Sequence, residues 1–194
     1  MKRANKKIST QTLTLAALLT AIVVVLQLLG SFIHLGPFSV SLVLIPIVIG
    51  AATCGPIIGT WLGFAFGIAV LLSGDAALFL SVHVAGTVIT VLAKGMACGL
   101  LASLAYKLLE KFHKYVAVVV AAVVCPIANS GVFLIGCRLF FWETIGEWAG
   151  GSNVVAYAFL GLIGANFLFE LGFNLVLSPV ILRLLNIRKK QTEQ

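Results

Sequence analysis

The chain has 194 residues, of which 61% are hydrophobic and 10% charged, with a formal net charge of +7; its mean hydropathy is +1.14. Soluble domains carry about 25% charged residues, so the composition excludes one and points to a single all-α integral membrane domain over residues 1–194. The basic residues are split among three short clusters, which reads as a topology signal rather than a nucleic-acid surface.

A bilayer core of about 30 Å takes around 20 apolar helical residues per crossing, and the sequence divides into six such spans. Continuous apolar runs without inside/outside alternation exclude a β-barrel. Span one covers residues 12–33 and carries Ala17-x-x-x-Ala21, with Ala16 and Thr20 beside it. This small-residue pair serves either packing within the bundle or docking of a partner helix. The run is too long for a signal-peptide h-region and no small-x-small cleavage site follows, so an uncleaved first span is expected.

Spans two and three, residues 38–53 and 56–72, are separated at Cys54-Gly55-Pro56, because Pro cannot continue a helix from the preceding turn. Gly55, Gly59, Gly63 and Gly67 recur every four residues, with a shorter echo at Gly95 and Gly99 in span four. On helices these are bare stripes that admit a neighbouring backbone, and intramolecular packing is the expected use.

Span four, residues 84–109, puts Thr87, Thr90 and Lys94 on one face. His83, eleven residues before Lys94, returns to nearly the same angle if the helix starts that early. Lys94 is about ten residues, or roughly 15 Å, from the outer boundary, too deep to snorkel easily. A charge there costs roughly 2.5–3.5 kcal/mol on insertion scales. It needs either a structural ion pair or a solute.

Span five, residues 115–141, contains Pro126, Asn129 and Arg138. Pro126 frees a backbone carbonyl one turn earlier and kinks the helix. Arg138, near the outer end, either snorkels to headgroups or grips an anion with its planar fork. The loop that follows, Phe140-Phe141-Trp142-Glu143 and then Trp148, reads as an interfacial aromatic belt or as a lid, with Trp142 able to stack on a solute ring. Span six, residues 154–185, carries Asn166, Glu170 and Asn174 on one face, again serving structure or a solute pathway.

Orientation follows from the basic clusters. Lys2, Arg3, Lys6 and Lys7, then Lys107, Lys111 and Lys114, then Arg183, Arg188, Lys189 and Lys190 fall on one side of a six-span chain, and Asp75, Glu143 and Glu147 on the other. Both termini are therefore expected in the cytoplasm. The four cysteines, Cys54, Cys98, Cys125 and Cys137, have no metal or redox spacing and read as packing residues. No P-loop, H-E-x-x-H or G-x-S-x-G motif is present, so neither an enzyme nor an ATPase is expected, and no cofactor or metal.

Six spans in under 200 residues, the A-x-x-x-A of span one, "LVLIPIVIGAATCGPIIGTWLGFAFGI" at Leu42–Ile68 and "FELGFNLVLSP" at Phe169–Pro179 resemble the substrate-binding S component of an energy-coupling-factor (ECF) vitamin transporter. The resemblance implies an S-component-like bundle in a prokaryotic plasma membrane that binds a water-soluble vitamin near its outer face. It also implies partners: a transmembrane coupling subunit, on which Ala17 and Ala21 dock, and two ATPase subunits. The metal-binding branch of that family uses an N-terminal His cluster, absent before His34 here. Lys94 and Arg138 favour an anionic solute, pantothenate first and folate or riboflavin next, with Asn129, Glu170, Asn166, Asn174, Thr87, Thr90, His83 and Trp142 as further candidate contacts. A self-sufficient carrier or channel would use the same polar stripes without ATPases, and a membrane-embedded enzyme would require a reactive cluster.

Overall fold

A computed structural model describes residues 9–31, 34–35, 38–39 and 42–192. Lys2, Arg3, Lys6 and Lys7, the expected end of span one at Ile33 and the side chains of Arg188, Lys189 and Lys190 lie outside the described residues. The elements are α1 (Thr10–Gly30), a two-strand ladder of β1 (His34–Leu35) and β2 (Phe38–Ser39), α2 (Leu44–Cys54), α3 (Pro56–Ser73), α4 (Ala77–Val82), α5 (Val84–Leu109), α6 (Lys114–Phe140), α7 (Trp142–Trp148), α8 (Val154–Ala156), a π-helix (Tyr157–Gly164) and α9 (Ala165–Thr192). Among the described residues, five helices are long and apolar enough to cross a membrane: Thr10–Gly30, Pro56–Ser73, Val84–Leu109, Lys114–Phe140 and Val154–Asn186.

The expected second span is shorter than its sequence suggests. Phe38 and Ser39 pair antiparallel with Leu35 and His34, which commits their backbone to a ladder instead of a helix. What remains is the 11-residue α2, roughly 16 Å long at 1.5 Å per residue. Gly55 ends it at φ 85° and ψ −174°, a conformation open to glycine alone. Pro56 then starts α3 at the position where its missing N–H costs nothing.

α3 and α5 pack through their glycine stripes. A Cβ added to Gly63 would overlap the carbonyl of Gly95, and one added to Gly99 would overlap the carbonyl of Gly59. The two backbones are therefore in direct contact, as small-residue stripes allow. The main core gathers α1, α2, α3, α5 and α6 around residues such as Val23, Ile47, Leu62, Cys98 and Ala121.

The hydrogen-bond ladder of α6 lacks one donor, at Pro126. Pro126 cannot donate to the carbonyl of Ala122, and Asn174 Nδ2 of α9 donates to that carbonyl at 3.2 Å. A buried carbonyl without a partner costs about 1–3 kcal/mol, so Asn174 both satisfies the break and ties α9 to α6.

A smaller core at one end joins α4, α6, α7 and the π-helix around Phe79, Cys137, Phe141, Ile145 and Leu162. Phe79 meets Phe141, Phe133 and Trp148 edge-on, with centroids at 5.0, 5.4 and 5.5 Å. The aromatic loop after span five is thus folded inward as α7, with Phe141 and Ile145 buried.

The glycine contact sets a testable limit. Gly63→Ala is expected to lower the stability of the detergent-solubilised protein by roughly 1–3 kcal/mol, the usual cost of overpacking. Gly131→Ala, where nothing lies within 4 Å of an added Cβ, is expected to leave it unchanged or raise it by up to about 1 kcal/mol, as replacing a mid-helix glycine does. Thermal unfolding of both variants followed by circular dichroism measures the difference.

Candidate functional site

The polar stripes of α5 and α9 converge on one cavity, whose empty space, open solvent at its mouth included, is about 560 Å³. It lies at the end of the bundle away from the α5–α6 turn. α5 contributes Thr87, Thr90 and Lys94, α9 contributes Glu170 and Asn166, and α6 contributes Phe133. The periodic spacing of Thr87, Thr90 and Lys94 is what aims them together.

Lys94 has aromatic neighbours. Its ammonium lies 5.7 Å from the centroid of Phe66 and 5.3 Å from that of Phe133. Among the described residues, no hydrogen bond or ion pair joins it to Glu170. That carboxylate instead accepts from Asn129 Nδ2 at 3.4 Å and Asn166 Nδ2 at 3.3 Å. Cation–π contacts are worth about 0.5–2 kcal/mol each, whereas removing an ion from water costs several. The two rings add to the electrostatic attraction of Glu170 and Asp75 without giving the ammonium a direct hydrogen-bond acceptor.

A smaller compartment adjoins the first, lined by Lys94, Asn129, Ser130, Phe133, Leu162, Ile163 and Asn166. Leu162 and Ile163 come from the π-helix, whose i→i+5 bonding is rare and frequent at functional sites.

Other sequence candidates have partners within the protein or lie outside the cavity. Asn174 is spent on the Ala122 carbonyl. His83 is the N-cap of α5, its Nδ1 accepting from Gly86 N at 2.8 Å. Thr87 donates its hydroxyl to the His83 carbonyl at 2.9 Å while lining the cavity. Arg138 is exposed, with its guanidinium 4.6 Å from the Trp142 ring centroid. Arg138 and Asn129 are nine residues apart, half a turn in angle at 3.6 residues per turn, so the buried Asn129 and the exposed Arg138 face opposite ways.

The sequence reading missed Gln27, Asp75, Phe66, Phe79 and Phe141 as lining residues. Gln27 is 2% exposed on an apolar helix face and donates to Asp75 Oδ2 at 2.5 Å and Ser73 Oγ at 3.5 Å. A buried glutamine amid Val and Leu is the signal that could have found it. Asp75 was legible only as an acid on the opposite side from the basic clusters.

Ala17 and Ala21 lie on a different face. They are exposed and line an apolar groove between α1 and α3 with Leu13, Val24, Ile58 and Trp61. The buried stripe of α1, Ala16, Leu19, Val23 and Gln27, packs inward.

No curated protein and no solved structure matches the chain. The sequence profile of the family described as ECF transporter, substrate-specific component, matches residues 11–182, spanning all the polar stripes and the α1 groove, and the chain belongs to that family: it is a substrate-specific transporter subunit, multi-pass in the membrane.

Proposed function

We propose that this chain captures a water-soluble vitamin bearing a carboxylate and hands it to an ECF-type module of one coupling subunit and two ATPases in a prokaryotic plasma membrane. The observation that carries the anionic reading is Lys94. Glu170 has two amide donors and Asp75 has the Gln27 amide, while the Lys94 ammonium, although within electrostatic reach of both carboxylates, lies over two ring faces and hydrogen-bonds to neither carboxylate among the described residues. A solute carboxylate entering the cavity gives that ammonium a direct, charge-assisted hydrogen bond. The apolar walls from Phe66, Phe79, Phe133 and Phe141 suit a solute with an apolar middle. Pantothenate fits this pattern best and folate next; riboflavin, which has no carboxylate, relies on the aromatic walls and is the uncharged alternative.

The partner reading rests on family membership and the α1–α3 groove. An exposed small-residue face within an apolar groove accepts a helix of another subunit at close range. The six-crossing arrangement with cytoplasmic termini rests on the basic-residue asymmetry. α2 completes a crossing only with help from the chain before it.

Three outcomes are expected. Single-cysteine labelling in intact cells, on a background with the four native cysteines replaced, labels position 147 from outside and leaves position 111 protected; external labelling at 111 contradicts the arrangement. Ala17→Trp or Ala21→Trp abolishes uptake yet leaves vitamin binding by the purified chain intact; uptake at the wild-type level would remove the docking role. Lys94→Met weakens pantothenate binding about 10- to 150-fold, the worth of a hydrogen bond to a charged group. Arg138→Ala, changed outside the cavity, weakens it less than about threefold, as for a surface substitution. Isothermal titration of both variants settles the order.

A further inference from the structure

Glu170 is 2% exposed, and each of its carboxylate oxygens receives one amide nitrogen: Oε2 from Asn129 and Oε1 from Asn166. Carboxylate oxygens are acceptors, so they hold both amides with the nitrogen turned toward Glu170 and the oxygen turned away. Asn129 Oδ1 and Asn166 Oδ1 are buried and have no protein hydrogen-bond partner. Asn129 itself is 4% exposed. Both residues line the smaller compartment together with Lys94, whose ammonium only donates.

Beside the Ser130 hydroxyl, which can donate or accept, the compartment therefore combines one cationic donor with two neutral acceptors. A bare carboxylate satisfies Lys94 but sets its lone pairs against those of the two amide oxygens. A solute with a hydroxyl or N–H close to its carboxylate or carbonyl satisfies all three groups.

We propose that Glu170 is a positioning residue, which acts by orienting Asn129 and Asn166 so that their Oδ1 atoms read a hydroxyl or N–H on the solute beside the acceptor group that meets Lys94. This rests on the cavity being the vitamin site, and it narrows the substrate class to hydroxy- or amide-bearing acids and imides. Solutes without the donor are rejected because they leave buried acceptors unpaired, the discrimination that hydrogen-bonding sites achieve most strongly. Replacing the carboxylate by its amide isostere undoes the arrangement. A glutamine at 170 still accepts through its carbonyl, but its NH₂ captures one Asn oxygen for itself.

The test uses the purified full chain and two probe pairs: pantothenate against its amide-N-methylated analogue, and riboflavin against its ring-imide N-methylated analogue. Titration calorimetry gives the parent-to-methylated affinity ratio for wild type, Glu170→Gln and Asn166→Leu. Wild type is expected to prefer at least one parent by about 10-fold or more, and both variants to reduce that ratio to less than about threefold. Steric rejection of the methyl group is the same in Glu170→Gln as in wild type, so the drop in ratio reports the oriented acceptors, which a merely structural Glu170 would not alter. An unchanged ratio in both variants, or no preference in wild type, overturns the proposal while leaving the vitamin site standing. Failure of wild type to bind either parent overturns the choice of solute and this inference with it. Should Glu170→Gln not fold, the wild-type ratio and Asn166→Leu, changed at a partly buried position, still decide.

Discussion

The backbone contact between Gly63 of α3 and Gly95 of α5 governs the geometry of the site. Only residues without a Cβ allow the two helices this approach. Lys94 is the neighbour of Gly95 in sequence, and Phe66 follows Gly63 by three residues on the same helix face. The close approach therefore sets the Lys94 ammonium over the Phe66 ring at 5.7 Å. Wider helix spacing would move the charge away from its aromatic wall, and the cavity would lose its definition at that side.

On the opposite wall, polar groups are arranged by a different rule: buried polar atoms must find partners. Pro126 breaks the ladder of α6, and Asn174 takes the freed carbonyl of Ala122. One turn of α9 further toward the cavity, Glu170 gathers Asn129 and Asn166. α6 and α9 are thus joined by a short polar seam whose deep end is structural and whose cavity end is lined with groups able to meet a solute. This division explains why Asn166, Glu170 and Asn174, alike in spacing, differ in surroundings.

α1 shows how one helix serves two surfaces. Its inward stripe ends in Gln27, which bonds Asp75 at the cavity. Its outward edge, through Ala17 and Ala21, lines the groove against α3. Small residues on the outer edge leave the groove open, and the long side chain of Gln27 reaches across to Ser73 and Asp75 at the end of α3. The cavity and the groove therefore share a helix without sharing a residue.

Much of the helical order was legible in the sequence, since apolar length marks a span without knowledge of its neighbours. The Gly55-Pro56 break, the glycine stripes, the Pro126 break and the shared face of Thr87, Thr90 and Lys94 depend on local geometry and could be read directly. The start of α2 could not, because an apolar stretch does not reveal that Phe38 and Ser39 pair with a neighbouring strand. Nor could the π-helix, which has no distinct residue preference. Among the charged residues that line the cavity, the sequence marked Lys94 and Glu170, because a charge in an apolar run costs energy wherever the run folds. It could not tell them from Arg138 and His83. Only the tertiary structure put Arg138 outside on Trp142, turned His83 into a helix cap, and brought Gln27, Asp75 and four phenylalanines to the cavity wall. Those outcomes depend on which helices pack together and at what rotation, and that is fixed by contacts between segments far apart in the chain.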